Sequence, residues 1–360
     1  MATTTELVAE INSTLNASTY DFGAITPPAN SLVTVIAAAT GTVLGAITDT
    51  GAVLTWTQRY FLATTIAYVV YTAPVDSSPS SITIRYDCTG DEATGCNATA
   101  FVTTGYDTAI PVQQTVVSAS GASATTPAVT LGAARKVANT TLGVAFNVTS
   151  PAGIAEPTGW TEVTDVGHSI PTVGAEAAFR DGGETNATVT WGDTSPSSWR
   201  AIVVEIAKKR ADITGTATAS ITEADVVAGG KTIIITLTGD TWIAAGAASF
   251  DLQRLNIIQG LDSAQSEALG WNLQVRDTEV ATAVVRTSDT VVTITLSASA
   301  LYNITAQETI TVTVPGTALT SGNELESTPT FTVDITAAAG QPYSKRLGGI
   351  PFMAQNRGVW

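Results

Sequence analysis

The chain has little charge, one histidine, two cysteines and no long apolar run. Only 13% of its 360 residues are charged, and 31 acidic against 16 basic groups leave a formal net charge of −15. Such a chain repels phosphates, so nucleic acid is not an expected partner. One histidine and two cysteines cannot build a histidine-rich zinc centre, and no cofactor is expected. No run of roughly 18 or more apolar residues occurs, so no membrane-spanning helix is expected. The start, Met-Ala-Thr-Thr-Thr-Glu, lacks the basic and apolar stretches of a secretory signal, and none is read.

Small hydroxyl residues are abundant instead: 62 Thr and 25 Ser, in a chain that is 44% hydrophobic. Threonine is β-branched and suits a pleated surface. The composition therefore predicts an all-β protein with Thr-covered faces, and argues against helix bundles.

Five segments follow from the pattern. Residues 1–20 read as an N-terminal arm. Leu7, Val8, Ile11 and Leu15 lie at helical spacing there, predicting a short amphipathic helix. Residues 21–208 carry short strand-like runs such as SLVTVIAAAT, YFLATTIAYVVYTA, SSITIRYD, NATVTWGD and SWRAIVVEIA, separated by turn signals, which predict a jelly-roll-like β-sandwich. Lys208 and a charged linker at 209–212 follow. Residues 213–336 hold seven strand-like runs, from TGTATASI to TFTVDIT, with the length and spacing of an immunoglobulin-like sandwich. Within it, Leu252, Leu255 and Ile258 predict one or two short helices over 250–268. Residues 337–360 are rich in Gly and Pro. They carry Lys345, Arg346 and Arg357 and no acid, so this tail is net positive on an acidic body.

Few residues suggest chemistry. There is no G-x-S-x-G elbow, and His168 falls in the loop-like DVGHSIP, with Asp165 and Ser169 too near in sequence for an ordinary triad. No catalytic residue is assigned. Asp87, Asp91, Glu92, Asp181 and Glu184 sit in Gly-containing loops but follow no calcium-loop pattern, and no metal site is assigned. Cys88 and Cys96 flank an acidic turn. A hairpin there could bring them within bridging range, and a disulfide and two thiols are equally open readings. Trp160, behind Pro157 and Gly159, is the candidate sugar contact, while Trp191 alternates with a buried face. Seven N-x-S/T sequons are attributed to Thr-rich strands rather than to glycosylation. In the tail, Tyr343, Leu347, Ile350, Phe352, Met353 and Trp360 offer apolar anchors beside Lys345, Arg346 and Arg357, so the segment reads as a docking arm.

Two stretches resemble known proteins. GTATASITEADVVAGGKTIIITLTGDTW, with GLDSAQSEALGW and TVVTITLSASALYNITAQETITVTVPGTAL, resembles an immunoglobulin-like module recurrent in tailed-bacteriophage structural proteins. PYSKRLGGIPFMAQNRGVW resembles C-terminal tails on short phage virion genes. PTGWT followed by WRAIVVEI is similar to jelly-roll-like domains of phage appendage and decoration proteins. The resemblance implies a non-enzymatic virion protein on the particle surface, assembled in the host cytoplasm, of capsid decoration or head-fibre type. Its implied partners are the major capsid or other virion proteins and further copies of itself, a trimer being one such arrangement. A tail or fibre adhesin recognising a host-surface glycan is the alternative, and a depolymerase a more distant one.

Overall fold

A computed structural model describes residues 3–334 apart from 42–44, 52–53, 89–91, 170–171, 218–220, 244–255, 260–280, 297–307, 314–317, 324 and 327–329. The tail at 337–360, read from the sequence as a docking arm, lies outside the described residues. The protein is all-β, as its composition predicts. Its first part consists of β1 (Thr4–Ser13), β2 (Thr19–Ile25), β3 (Ser31–Thr40), β4 (Ala46–Thr50), β5 (Thr57–Ala63), β6 (Ile66–Pro74), β7 (Ile82–Asp87) and β8 (Cys96–Thr104), then β9 (Val117–Gly121), β10 (Ala128–Thr130), β11 (Thr140–Asn147), β12 (Thr161–Ser169), β13 (Thr172–Asp181), β14 (Thr188–Thr190) and β15 (Trp199–Ile206).

These strands form two five-stranded antiparallel sheets, each with a smaller sheet on its outer face. One large sheet has the order β1-β8-β3-β6-β5 and the other β12-β13-β11-β15-β9; the outer sheets are β2-β7-β4 and β10-β14. Three cores separate the four layers. Leu32, Ile36, Tyr68, Val70 and Phe101 meet Leu142, Val144, Phe146, Ile202 and Val204 between the large sheets. Val33, Val35, Val69 and Val102 face Phe22, Ile47, Ile84 and Tyr86 of the first outer sheet. Ala145, Ala178, Ala201 and Val203 face Val129, Val189 and Trp191 of the second. This layering explains the near-continuous burial of β3 and β11: a strand covered on both faces needs apolar or small residues throughout. Strand β7 is buried only at alternate residues, because its outer face meets water.

The two halves of this stack trace the same path. Read from the other edge, the second large sheet runs β9-β15-β11-β13-β12, which matches β1-β8-β3-β6-β5 strand for strand. The agreement reaches detail. A β-bulge falls between Gln58 and Tyr60 in β5 and between Glu162 and Thr164 in β12, at the same distance after Trp56 and Trp160. Val75 donates its backbone N–H to Ser31 O at 2.8 Å, and Gly182 makes the matching bond to Asn139 O at 3.1 Å. The halves pack edge against opposite edge: Asn12 of β1 bonds Gly167 of β12, and Tyr60 of β5 meets Ser118 of β9.

Beyond residue 208 lie β16 (Asp212–Ala217), β17 (Ile221–Thr222), α1 (Glu223–Ala228), β18 (Thr232–Thr238), β19 (Asn256–Gln259), β20 (Ala281–Arg286), β21 (Val291–Leu296), β22 (Glu308–Thr313) and β23 (Thr330–Asp334). They form two four-stranded sheets, β16-β18-β21-β20 and β17-β23-β22-β19. Helix α1 starts at a capping box in which Thr222 and Asp225 satisfy each other's backbone N–H groups, as the Thr-x-x-Asp spacing allows.

Three local expectations are corrected. Residues 4–13 form a strand, not a helix: β1 pairs with β8 along its length. Its pattern also fits a period of two, and a short helix cannot compete with ten residues of sheet pairing. Leu15, expected on the apolar stripe, is 70% exposed. The N-terminal segment is therefore part of the sheet rather than an arm. Asn256–Gln259, inside the stretch read as helical, is strand β19; the rest of 250–268 lies outside the described residues. YFLATTIAYVVYTA is two strands, β5 and β6, because Thr64 turns the chain and accepts the Ile66 N–H through its hydroxyl.

Candidate functional site

An open cavity of about 290 Å³ lies at one end of the first half. Three loops converge there: the one after β2 brings Pro27, the one before β5 brings Leu54 and Thr55, and the β6–β7 connection brings Val75, Asp76, Ser78 and Ser80. The walls from Pro27, Val75 and Ile82 are buried, while Thr55, Ser78, Ser80 and the exposed Asp76 form a polar rim. The Asp76 carboxylate is held in place by the Ser78 N–H, which it accepts at 2.8 Å through Oδ1. Behind Thr55, Trp56 donates its indole N–H to Asp49 Oδ1 at 2.8 Å, and the same oxygen accepts the Leu54 N–H at 2.9 Å. The loop carrying Leu54 and Trp56 is thereby anchored to one carboxylate.

The corresponding place in the second half is filled. There the loop after β10 sends in Arg135, whose side chain is 3% exposed. Its guanidinium lies over the Trp160 ring at 5.8 Å. It donates to Asn186 O at 2.5 Å, to Glu184 Oε2 at 3.3 Å and to Thr141 Oγ1 at 3.4 Å. Glu184 also pairs with Arg180 at 2.8 Å. Gly143 also packs closely here: a Cβ on it would stand 3.2 Å from both the Trp160 and Trp191 rings.

This arrangement places several residues singled out in the sequence. Trp160 is buried beneath Arg135, so it offers no open ring face to a sugar, contrary to expectation; the loop signal of Pro157 and Gly159 marks the entry to β12, not an exposed platform. His168 lies in β12, opposite Val173, and is buried rather than on a surface loop. Asp181 and Glu184 are framework acids: Asp181 accepts the Thr5 N–H at 2.9 Å and the Thr140 hydroxyl at 2.6 Å. Asp91 lies outside the described residues, and among the described residues no three His, Cys, Asp or Glu side chains gather as a metal site. Cys88 and Cys96 are both thiols, and both are buried in the core under the first outer sheet.

Two features went unforeseen in the sequence. Glu176, in the middle of β13, is 2% exposed. Burial, helped by the neighbouring charges of Glu162, Asp165 and Glu156, pushes its carboxyl up to about 9; its Oε1 has no hydrogen-bond partner among the described residues. Glu205, wholly buried, accepts the Lys136 N–H at 2.8 Å, the Asn139 Nδ2–H at 2.9 Å and a bond from Gln114 Nε2. Nothing in a single acidic letter within a strand signals such burial.

The charged segment at 209–212 is pinned. Arg210 pairs with Asp107 at 2.6 Å, Lys209 N bonds Gly105 O at 2.7 Å, and Ala211 O accepts the Glu326 N–H at 3.1 Å.

Comparison with known proteins yields no matching family, no similar curated protein and no similar solved structure.

Proposed function

We propose that this chain is a non-enzymatic structural component of a tailed-bacteriophage virion, a capsid decoration protein or head fibre. It stands on the particle surface, is assembled in the host cytoplasm, associates with further copies of itself and docks on other virion proteins through its C-terminal arm. The observation that carries this reading is how the framework uses its polar groups. Asp107, Asp181, Glu184 and Glu205 are each engaged in ion pairs or backbone contacts that hold sheets and loops together. The resemblance of the 213–335 stretch and of the tail to phage proteins supports the same reading. So does the charge division, since 337–360 holds three basic groups and no acid while the whole chain is −15. A basic arm seeks an acidic partner surface.

The alternative is a glycan-binding adhesin. Its candidate sugar contact is Trp160, and the guanidinium over that ring removes the stacking face such a contact needs.

Deleting residues 341–360 tests the proposal. The shortened chain should fold, keep its thermal midpoint as a monomer, and fail to join particles or its own oligomer. Normal incorporation of the shortened chain overturns the docking role.

A further inference from the structure

We propose that the cavity at the end of the first half is a guanidinium site, filled by Arg346 from the C-terminal tail of a neighbouring copy. The assignment rests on the docking-arm reading and specifies where that arm binds.

The two halves are equivalent around the cavity. The connection from β13 to β14 corresponds to that from β6 to β7. The loops after β10 and β2 correspond, as do the entries to β12 and β5 at Trp160 and Trp56. The shared backbone bonds, Val75 N to Ser31 O and Gly182 N to Asn139 O, fix this alignment at the cavity itself. In the second half an arginine of the chain's own occupies the space between these three loops. In the first half the same three loops surround an open cavity.

The reason for the difference is visible in the sequence. Eight residues, 131–138, separate β10 from Asn139 and include Arg135 and Lys136. Only five, 26–30, lie between Ile25 and Ser31, and they read TPPAN. The first half therefore has no basic residue on the loop that would fill the space, yet it keeps an acceptor. Asp76 stands on the connection that carries Glu184 in the second half, its carboxylate fixed by the Ser78 N–H. Thr55, Ser78 and Ser80 add hydroxyl oxygens, and Pro27, Leu54, Val75 and Ile82 give apolar walls. A guanidinium has five N–H donors in a planar fork and pairs bidentately with a carboxylate. Its methylene stem packs along apolar walls.

The tail supplies the matching group. It is the net-positive segment of the chain, and Arg346 follows Lys345 between the apolar Tyr343 and Leu347.

The test is binding of a synthetic peptide spanning residues 341–360 to the full-length chain carrying Arg346→Ala, which disarms its own tail, measured by calorimetry. Binding should weaken about tenfold or more in Asp76→Asn protein, the scale of losing a charge-assisted bidentate contact. The same loss should follow Arg346→Ala in the peptide, while Arg357→Ala should change affinity little. Asp76 is exposed, so Asp76→Asn should leave the thermal midpoint unchanged, and a thermal scan separates loss of the site from loss of fold. Peptide binding that ignores Asp76→Asn overturns the site, as does absence of binding. A concentration-independent block of the cavity by the tail of the same molecule, seen as peptide binding only after Arg346→Ala with the wild-type chain monomeric, overturns the neighbouring-copy assignment. If tail deletion abolishes incorporation into particles while Asp76→Asn incorporates normally, the docking arm stands and the guanidinium site falls.

Discussion

Trp56 and Trp160 occupy the same position in the two halves, each just ahead of a strand whose bulge falls three residues on, but their surroundings differ. Trp56 is half-buried and spends its N–H on Asp49. Trp160 is buried and capped by Arg135. The guanidinium in the second half thus does the work of a core residue, tying the loops around β12 and β14 together. Burial lowers its proton affinity, which Glu184 and Glu205 counteract.

Arg135→Ala should therefore destabilise the first part of the chain by about 2–3 kcal/mol. It removes a buried cation with its hydrogen bonds and bares the Trp160 ring; the cost stays at the lower end because Glu184 retains Arg180. Arg135→Lys should recover little of this, since an ammonium cannot reproduce the fork that reaches Asn186, Glu184 and Thr141 together. Chemical denaturation of the three proteins measures both effects. A loss for Arg135→Ala below about 0.5 kcal/mol, the range of ordinary surface substitutions, would contradict the account.

Glu176 sets a pH dependence. Burial and the acids beside it hold its carboxyl up at about 9 in the folded protein, against an ordinary value of 4.5. The groups facing it are Glu162 and Asp165 from β12 and Glu156 from the loop before it, all acidic. The proton is thus bound more tightly in the folded state than in the unfolded one. The stabilisation that burial of the neutral acid permits is complete below about pH 4.5, declines as the pH rises, and is gone above about pH 9. Glu176→Gln keeps the shape and removes the titration. The variant should match the wild type near pH 4.5 and exceed it in thermal midpoint at pH 8–9; parallel midpoint curves across that range would show that Glu176 is not the group responsible.

How far the sequence reveals this molecule depends on how much of each signal is local. The all-β class was legible from threonine content, and β3, β7, β11 and β15 from runs of β-branched and apolar residues. β1 is ambiguous because Leu7, Val8 and Ile11 satisfy a helical period as well as a strand, and only the long-range pairing with β8 decides between them. The shared path of the two halves was hidden: Thr72 of β6 stands where Phe179 stands in β13, and Thr34 of β3 where Leu142 stands in β11, so the letters diverge where the backbone agrees. Trp160 was legible as important but not as buried, because its cover, Arg135, lies 25 residues upstream. The candidate cavity was not legible at all. It depends on three loops brought together by sheets whose order no local pattern encodes.

Cys88 and Cys96 should behave as inert thiols in the native protein. Both lie in the core beneath the first outer sheet. Burial, together with the neighbouring Cys88, raises the Cys96 thiol well above its ordinary range, which suppresses the thiolate that would react. A thiol-specific chromogenic reagent should count no reactive thiol in the folded protein and two after unfolding in denaturant. Two thiols titrating rapidly without denaturant would mean that this end of the core opens readily, and none titrating even after unfolding would mean that the pair is oxidised.

The last prediction concerns the attachment of the second part of the chain to the first. Asn139 ties three segments together: its Nδ2–H donates to the buried Glu205 at 2.9 Å, while its Oδ1 accepts the Lys208 N–H at 2.9 Å and the Asn323 Nδ2–H at 3.2 Å. Close by, Asp107 takes the Arg210 guanidinium at 2.6 Å and the Ala109 and Ile110 N–H groups at 2.9 Å each. The segment at 209–212 is therefore held from both sides. Removing one buried partner from such a network leaves the others desolvated and unsatisfied, which costs about 1–3 kcal/mol. Asn139→Ala should pay this within the first part, because Glu205 loses a donor in a site that water does not reach. Asn323→Ala should leave Glu205 untouched and weaken only the attachment. The two variants therefore separate by readout. Asn139→Ala lowers the unfolding midpoint of the first part, whereas Asn323→Ala increases protease cleavage and amide exchange around 208–212 with that midpoint nearly unchanged. Equal exchange at 208–212 in Asn323→Ala and wild type would show that Asp107 and Arg210 hold the segment without help from the asparagine pair.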